Sequence, residues 1–181
     1  MIKKIVIGGT IAVLAVYLGF VLVGQVLPYV NWMLHSGQDV RLSFASADEL
    51  LASNEVTEAA KRMVRLPETV PDGAAIVAAE YRDDGFTSPQ IVLRYERNGS
   101  PVMDYRIGGN AELTGYEKLK SVALGETKGE LFVGRDNTVV VKWRDVDGPP
   151  FRYVTYYDPA LTEDEMVRIA ASVPAVSESS P

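Results

Sequence analysis

The sequence predicts an α+β domain carried on a single transmembrane helix, and three observations lead there. An uncharged apolar run from Ile5 to Leu27 follows Lys3 and Lys4. After Pro71 the apolar pattern changes from a helical period to alternation, with Gly, Asn and Asp between the segments. A capped amphipathic helix then closes the chain. The expected architecture is one membrane span followed by an antiparallel β-sheet of about seven strands, with helices packed on one face.

The apolar run has 23 residues. As a helix it would be about 34 Å long at roughly 1.5 Å per residue, enough for a bilayer core of about 30 Å. A secretory signal peptide has an apolar core of about 7 to 15 residues and a small-x-small cleavage site just beyond it. Val23-Gly24-Gln25-Val26-Leu27-Pro28 offers no such site, and Ala45-Ser46-Ala47 lies too far downstream. The run therefore reads as an uncleaved signal-anchor. Lys3 and Lys4 precede it and no charge follows until Asp39, which by the positive-inside bias puts the N-terminus in the cytoplasm and the C-terminal domain outside. Tyr29 and Trp32 suit the outer headgroup level. Gly8 with Ala12 and Ala15 with Gly19 have the spacing that lets two helix backbones approach, although a plain lipid-facing helix explains them as well. Residues 1–4 then form a cytoplasmic stub, 5–27 the span, 28–45 a juxtamembrane stalk, 46–173 the extracytoplasmic domain and 174–181 a frayed tail.

Ser46 and Glu49 have capping-box spacing and start a first helix. Ser53 and Asn54 are positioned to break it and cap a second turn, in which Val56, Ala59, Ala60, Met63 and Val64 share a face. Pro67 and Pro71 end the helical stretch. Strands are expected over residues 75–82, 90–97, 101–107, 121–125, 130–134, 138–145 and 151–157, as a continuous antiparallel meander. Asn98-Gly99 between two alternating segments is a strong hairpin signal, because a type I′ turn needs positive φ at both central residues. Ile91, Leu93 and Tyr95 should then pair with Met103, Tyr105 and Ile107 on one face. Arg94, Glu96, Asp104 and Arg106 should share the other. In the closing helix, Thr162 and Glu165 form a capping box, Leu161 and Met166 a hydrophobic staple, and Met166, Ile169, Ala170 and Val173 an apolar stripe ended by Pro174.

Several of these stretches together resemble a family of bacterial extracytoplasmic domains of unknown function, found at the C-terminal end of single-pass membrane proteins that include anti-sigma-factor-like regulators. The matching residues are Leu66-Pro67-Glu68 with Val70-Pro71-Asp72-Gly73, Ile91-Val92-Leu93-Arg94-Tyr95, Trp143 ahead of Gly148, and Leu161 to Met166 running to Ile169-Ala170-Ala171-Ser172. They are packing and capping motifs, so the resemblance implies a fold and a cell-envelope location. Only Met1 to Lys4 precede the span, which departs from the regulators' cytoplasmic domain.

The chain carries a formal charge of −6, and without Lys3 and Lys4 it has 16 basic against 24 acidic residues, or −8. Such a balance repels phosphate backbones and anionic lipid surfaces and argues against nucleic acid as a partner. With no cysteine and a single histidine, His35 in the stalk, the chain lacks the residues of thiol catalysis, cysteine zinc sites and common nucleophilic triads. It is not expected to be an enzyme or to need a cofactor. Asp145-Val146-Asp147-Gly148 resembles the opening of a calcium loop, but Pro149 and Pro150 interrupt it and a hairpin turn explains it better.

Trp143, Phe151, Tyr153, Tyr156 and Tyr157 make the last hairpin rich in aromatic residues and are the candidate contact surface. Along a strand, Phe151, Tyr153 and Tyr157 share one face and Tyr156 the other. The expected function is a membrane-anchored extracytoplasmic interaction or sensing module, bound to lipid through its anchor and to an envelope or membrane protein through the sheet. The alternative is a carrier for a lipid or other apolar ligand, which needs an apolar cavity of several hundred Å³.

Overall fold

The structure, a computed structural model, describes residues 39–85, 88–108, 113–144 and 151–174. The span 5–27, with Lys3, Lys4, Tyr29 and Trp32, lies outside the described residues, as do the Asp145 to Pro150 turn and the tail from residue 175. Among the described residues no helix is long and apolar enough to cross a membrane. Every element below belongs to one compact unit.

Eight strands form one antiparallel sheet: β1 (Val40–Phe44), β2 (Ala75–Asp83), β3 (Gln90–Arg97), β4 (Ser100–Ile107), β5 (Tyr116–Leu124), β6 (Thr127–Gly134), β7 (Val139–Arg144) and β8 (Phe151–Tyr156). Three helices accompany them: α1 (Ala47–Ala52), α2 (Glu58–Met63) and α3 (Glu163–Ala171).

The seven expected strands are present, and the eighth is a correction. Val40 to Phe44 belongs to the sheet instead of the stalk, because Leu42 and Phe44 alternate with Arg41 and Ser43 and pair with Tyr81 and Ala79 of β2. The meander is also corrected. The spatial order is β1-β2-β3-β4-β8-β7-β6-β5, two four-stranded meanders joined where β4 pairs with β8. The chain leaves β4 in the middle of the sheet and returns at β5 on the far edge. Burial explains the arrangement: Arg152 to Tyr156 of β8 are all buried, as a central strand requires, whereas β5 is mostly exposed and bulged between Lys118 and Lys120. An edge bulge with flanking lysines discourages pairing with another chain.

The β3–β4 hairpin has the expected register, with Ile91 opposite Ile107, Leu93 opposite Tyr105 and Tyr95 opposite Met103. Asn98 and Gly99 have φ of 54° and 75°, the left-handed pair that a type I′ turn needs. Helix α1 is capped by Ser46, whose hydroxyl accepts from the Glu49 amide at 3.1 Å, while Glu49 reaches back to the amide of Ala45. Ser53 is the C-cap of α1, and Thr57 caps α2 in place of the expected Ser53 and Asn54. Both bonds of the Thr162–Glu165 capping box are present in α3.

The core lies between the helices and one face of the sheet. Phe44, Ala79, Leu93, Tyr105, Val154, Val141 and Leu131 form one row across that face through successive cross-strand pairs. Leu50, Val56, Ala60, Met166, Ile169 and Ala170 cover it. The loop after Pro67 is stitched to the end of α3: Glu68 N–H donates to the Ser172 carbonyl at 3.1 Å and Thr69 N–H to the Ser172 hydroxyl at 3.0 Å.

Candidate functional site

The helices cover one face of the sheet and leave the other uncovered by any of them, and cross-strand register sorts the aromatic residues of the last hairpin between the two. Trp143 pairs with Arg152, and Tyr156 with Met103 and Val139, so both lie on the helix side. Trp143 is buried and stacks on Tyr105 at 6.4 Å between centroids. Tyr156 is also buried, its hydroxyl donating to the Met166 carbonyl at 2.7 Å. Phe151, Tyr153 and Tyr157 alternate with these and face the other way. The five candidates therefore form two groups, and only the second lies on the helix-free face, where Tyr153 is itself buried and only Phe151 and Tyr157 are partly exposed.

At the centre of that face sits Asp104, whose side chain is 7% exposed. Arg94 Nε lies 3.5 Å from its Oδ1 and Arg106 Nη2 lies 3.6 Å from its Oδ2. The Tyr157 hydroxyl donates to Oδ2 at 3.1 Å. Arg94 also faces Glu80 at 3.6 Å, which extends the ladder across β2, β3 and β4. Asp104 Oδ1 and Arg106 Nε are buried with no hydrogen-bond partner among the described residues. Burial, reinforced by the Asp104 charge, pushes the Tyr157 phenol up to about 12, so it remains a donor at neutral pH.

Beside this ladder, two cations lie over aromatic rings. Lys142 Nζ is 4.8 Å from the centroid of Phe151 and 5.5 Å from that of Tyr153. The Arg144 guanidinium is 4.3 Å from the same Phe151 ring. Such distances permit cation–π attraction. Lys128, on β6, stands one position before the Gly129–Trp143 pair and so beside Arg144. Among the described residues Lys128, Lys142 and Arg144 have no carboxylate within ion-pair distance. Glu130, opposite Lys142, pairs instead with Lys118 at 2.6 Å.

Three recesses accompany these features. One of about 310 Å³ lies on the helix side against Trp143, between the β5–β6 turn and the end of α3, with Glu68, Glu126 and Ser172 among its lining. A second of about 350 Å³ runs along β1 to β3 beside Arg41, Glu80 and Arg82, and a third of about 180 Å³ lies beside Asp72, Arg97 and Glu165. Each is an open groove with charged side chains in its lining. Among the described residues no group of three or more acidic or histidine side chains could hold a metal ion.

The alternation of Arg94 and Glu96 with the β3 core, and of Asp104 and Arg106 with that of β4, was legible in the sequence. The corner made by Lys128, Lys142, Arg144 and Phe151 was not. Its signal is the alternation of Lys142 and Arg144 with Val141 and Trp143, but recognising the corner needs the pairing of β6 with β7 and of β7 with β8. No family model, curated protein or solved structure matches this chain. The fold is that of an α+β domain with one helix-covered sheet face and one face bearing charge and aromatic rings.

Proposed function

We propose that this chain is a membrane-tethered extracytoplasmic interaction module without catalytic activity, whose helix-free sheet face contacts an envelope or membrane protein. The observation that supports the reading is the make-up of that face, where Arg94, Arg106 and Tyr157 meet the buried Asp104 carboxylate and the half-buried Phe151 ring lies further along the same face. Arginine and aromatic residues on a rigid sheet are the side chains that supply most of the binding energy at protein interfaces. The resemblance of residues 46–173 to extracytoplasmic domains of single-pass proteins and the 23-residue apolar run support the location. A carrier would require an enclosed apolar cavity, whereas these three grooves among the described residues are open and partly charged.

Site-specific photo-crosslinking in the full chain, in its native membrane, tests this. A crosslinker at Ser43, Glu80 or Lys118, on the helix-free face, should give a discrete heavier species. The same crosslinker at Ala52 or Asp164, on the helices, should not. Equal yields from both faces, or none from either, would remove the reason for assigning the contact to this face.

A further inference from the structure

We propose that the corner formed by Lys128, Lys142, Arg144 and Phe151 docks on the anionic lipid surface of the membrane that tethers the chain. This rests on the tethered reading above. The whole chain is acidic at −6, which by itself argues for repulsion from such a surface. Three of the described cations are concentrated at one corner. Lys142 and Arg144 are held over one ring and Lys128 stands beside them; of the described carboxylates near these, Glu130 is already paired with Lys118, and the exposed Glu126 lies two residues before Lys128 in the β5–β6 turn. Charges more than about 8 Å away are largely screened at physiological ionic strength, so at contact the corner's own cations count more than the distant carboxylates. A half-buried aromatic ring between basic side chains adds apolar contact at the headgroup level.

The place of the corner in the fold selects lipid among anionic partners. β1, β3, β6 and β8 all begin at the same end of the sheet, so Phe151, Arg144 and Lys128 stand at the end where the chain enters β1 at Val40. Twelve residues, 28–39, separate Val40 from the end of the apolar run, and such a segment spans at most about 40 Å. A tethered domain therefore keeps this end within reach of the bilayer at high effective concentration. Docking there would turn the Asp104 ladder sideways along the membrane, toward a membrane-protein partner.

Because the chain has no cysteine, one introduced thiol gives a single label site. The full chain carrying Ala123→Cys, opposite Lys128 in the β5–β6 register, is labelled with a donor dye. It is reconstituted into phosphatidylcholine vesicles with or without phosphatidylglycerol, each containing a headgroup acceptor. Energy transfer should rise when phosphatidylglycerol is present and fall back at high salt. The rise should be absent from a label at Ala52→Cys. Asp145 and Asp147, next to Arg144 in sequence, lie outside the described residues, so charge variants are made at Lys128 and Arg144 alone. A surface cation near an anionic leaflet is worth roughly a fivefold change in occupancy, so losing two lowers the docked-to-free ratio about 25-fold and K128E/R144E, which also reverses both charges, should lower it further. K128Q/R144Q, the milder pair, should fall between. Equal transfer with both lipids, from a chain that co-floats with phosphatidylcholine vesicles, overturns the docking and leaves the tether standing. Failure to co-float overturns the tether and the docking with it. Binding of soluble polyglutamate to the corner without a response to phosphatidylglycerol assigns it to an acidic protein and also overturns the proposal.

Discussion

Arg152 Nη1 donates to the Tyr105 hydroxyl at 2.7 Å on the helix-covered side of the sheet, and the same nitrogen donates to the Met63 carbonyl at 3.2 Å. Arg152 has no exposed surface. A guanidinium at such a site requires polar partners, because removing a charge from water costs more than packing its stem returns. Here those partners tie β8 to β4 and to the end of α2, which is short and has only Ala60 fully buried along its length.

Tyr105→Phe removes one acceptor from a buried charge and should cost about 2 kcal/mol, the usual range for a hydrogen bond to a charged group. In a domain of this size that corresponds to a fall in Tm of roughly 4 to 8 °C. In an Arg152→Met background the same change should cost much less, since the group that needed the hydroxyl is gone. Thermal unfolding of the four chains of this cycle measures the coupling. Equal costs in both backgrounds would show that the bond does not join the two residues energetically.

Tyr156 and Met166 form the equivalent tie for α3, the phenol reaching the helix carbonyl at 2.7 Å. Tyr156→Phe keeps the ring and its packing, so the expected loss is about 1 kcal/mol. Amide exchange of α3 should speed up, while exchange in β3 and β4 should change only by the global shift. Uniform acceleration across the domain would mean that α3 does not open separately from the sheet.

Local chemistry made much of this fold readable. Asn98-Gly99 dictated a turn, the turn dictated the register of Ile91 with Ile107, and Thr162 with Glu165 started α3, because each signal acts over a few residues. The strand order depends on contacts far apart in sequence, and no local feature of β4 distinguishes β5 from β8 as its neighbour. The aromatic residues of β8 show the same limit. Alternation correctly separated Tyr153 from Tyr156, yet only a central position, buried on both faces, explains why both rings have so little exposure. Val40 to Phe44 was hidden by its shortness, since five alternating residues beside a polar segment look as much like a stalk as an edge strand.

Gly108 follows β4 with φ of +82°, and a Cβ there would lie 1.9 Å from the Pro89 carbonyl oxygen. The obstacle is backbone, which cannot swing aside. Gly125, in the β5–β6 turn, has φ of +63° with nothing within 4 Å of the same position. Gly108→Ala should therefore cost about 3 kcal/mol or more, and Gly125→Ala about 1 kcal/mol from backbone conformation alone. Denaturant midpoints of the two variants compare them directly. Similar costs would mean that the chain around Pro89 yields at little expense.

Alkaline pH should destabilise the domain through its tyrosines. Burial raises the phenols of Tyr81, Tyr95 and Tyr156 above their ordinary value of 10.0, and Tyr157 is pushed up to about 12 by burial and then by Asp104. Between those pH values the unfolded chain releases protons that the folded chain retains. The contribution of Tyr157 to stability is therefore complete below about pH 10 and is lost as pH rises through about 12, and those of Tyr81, Tyr95 and Tyr156 have the same sign. Tm should be insensitive to these groups near neutrality and should decline above pH 10, with a shallower decline in Tyr157→Phe. Phenolate absorbance gives an independent check. The phenols of Tyr81, Tyr95, Tyr156 and Tyr157 should ionise above pH 10, the most buried of them together with unfolding, whereas their ionisation near pH 10 without loss of structure would contradict the buried placements.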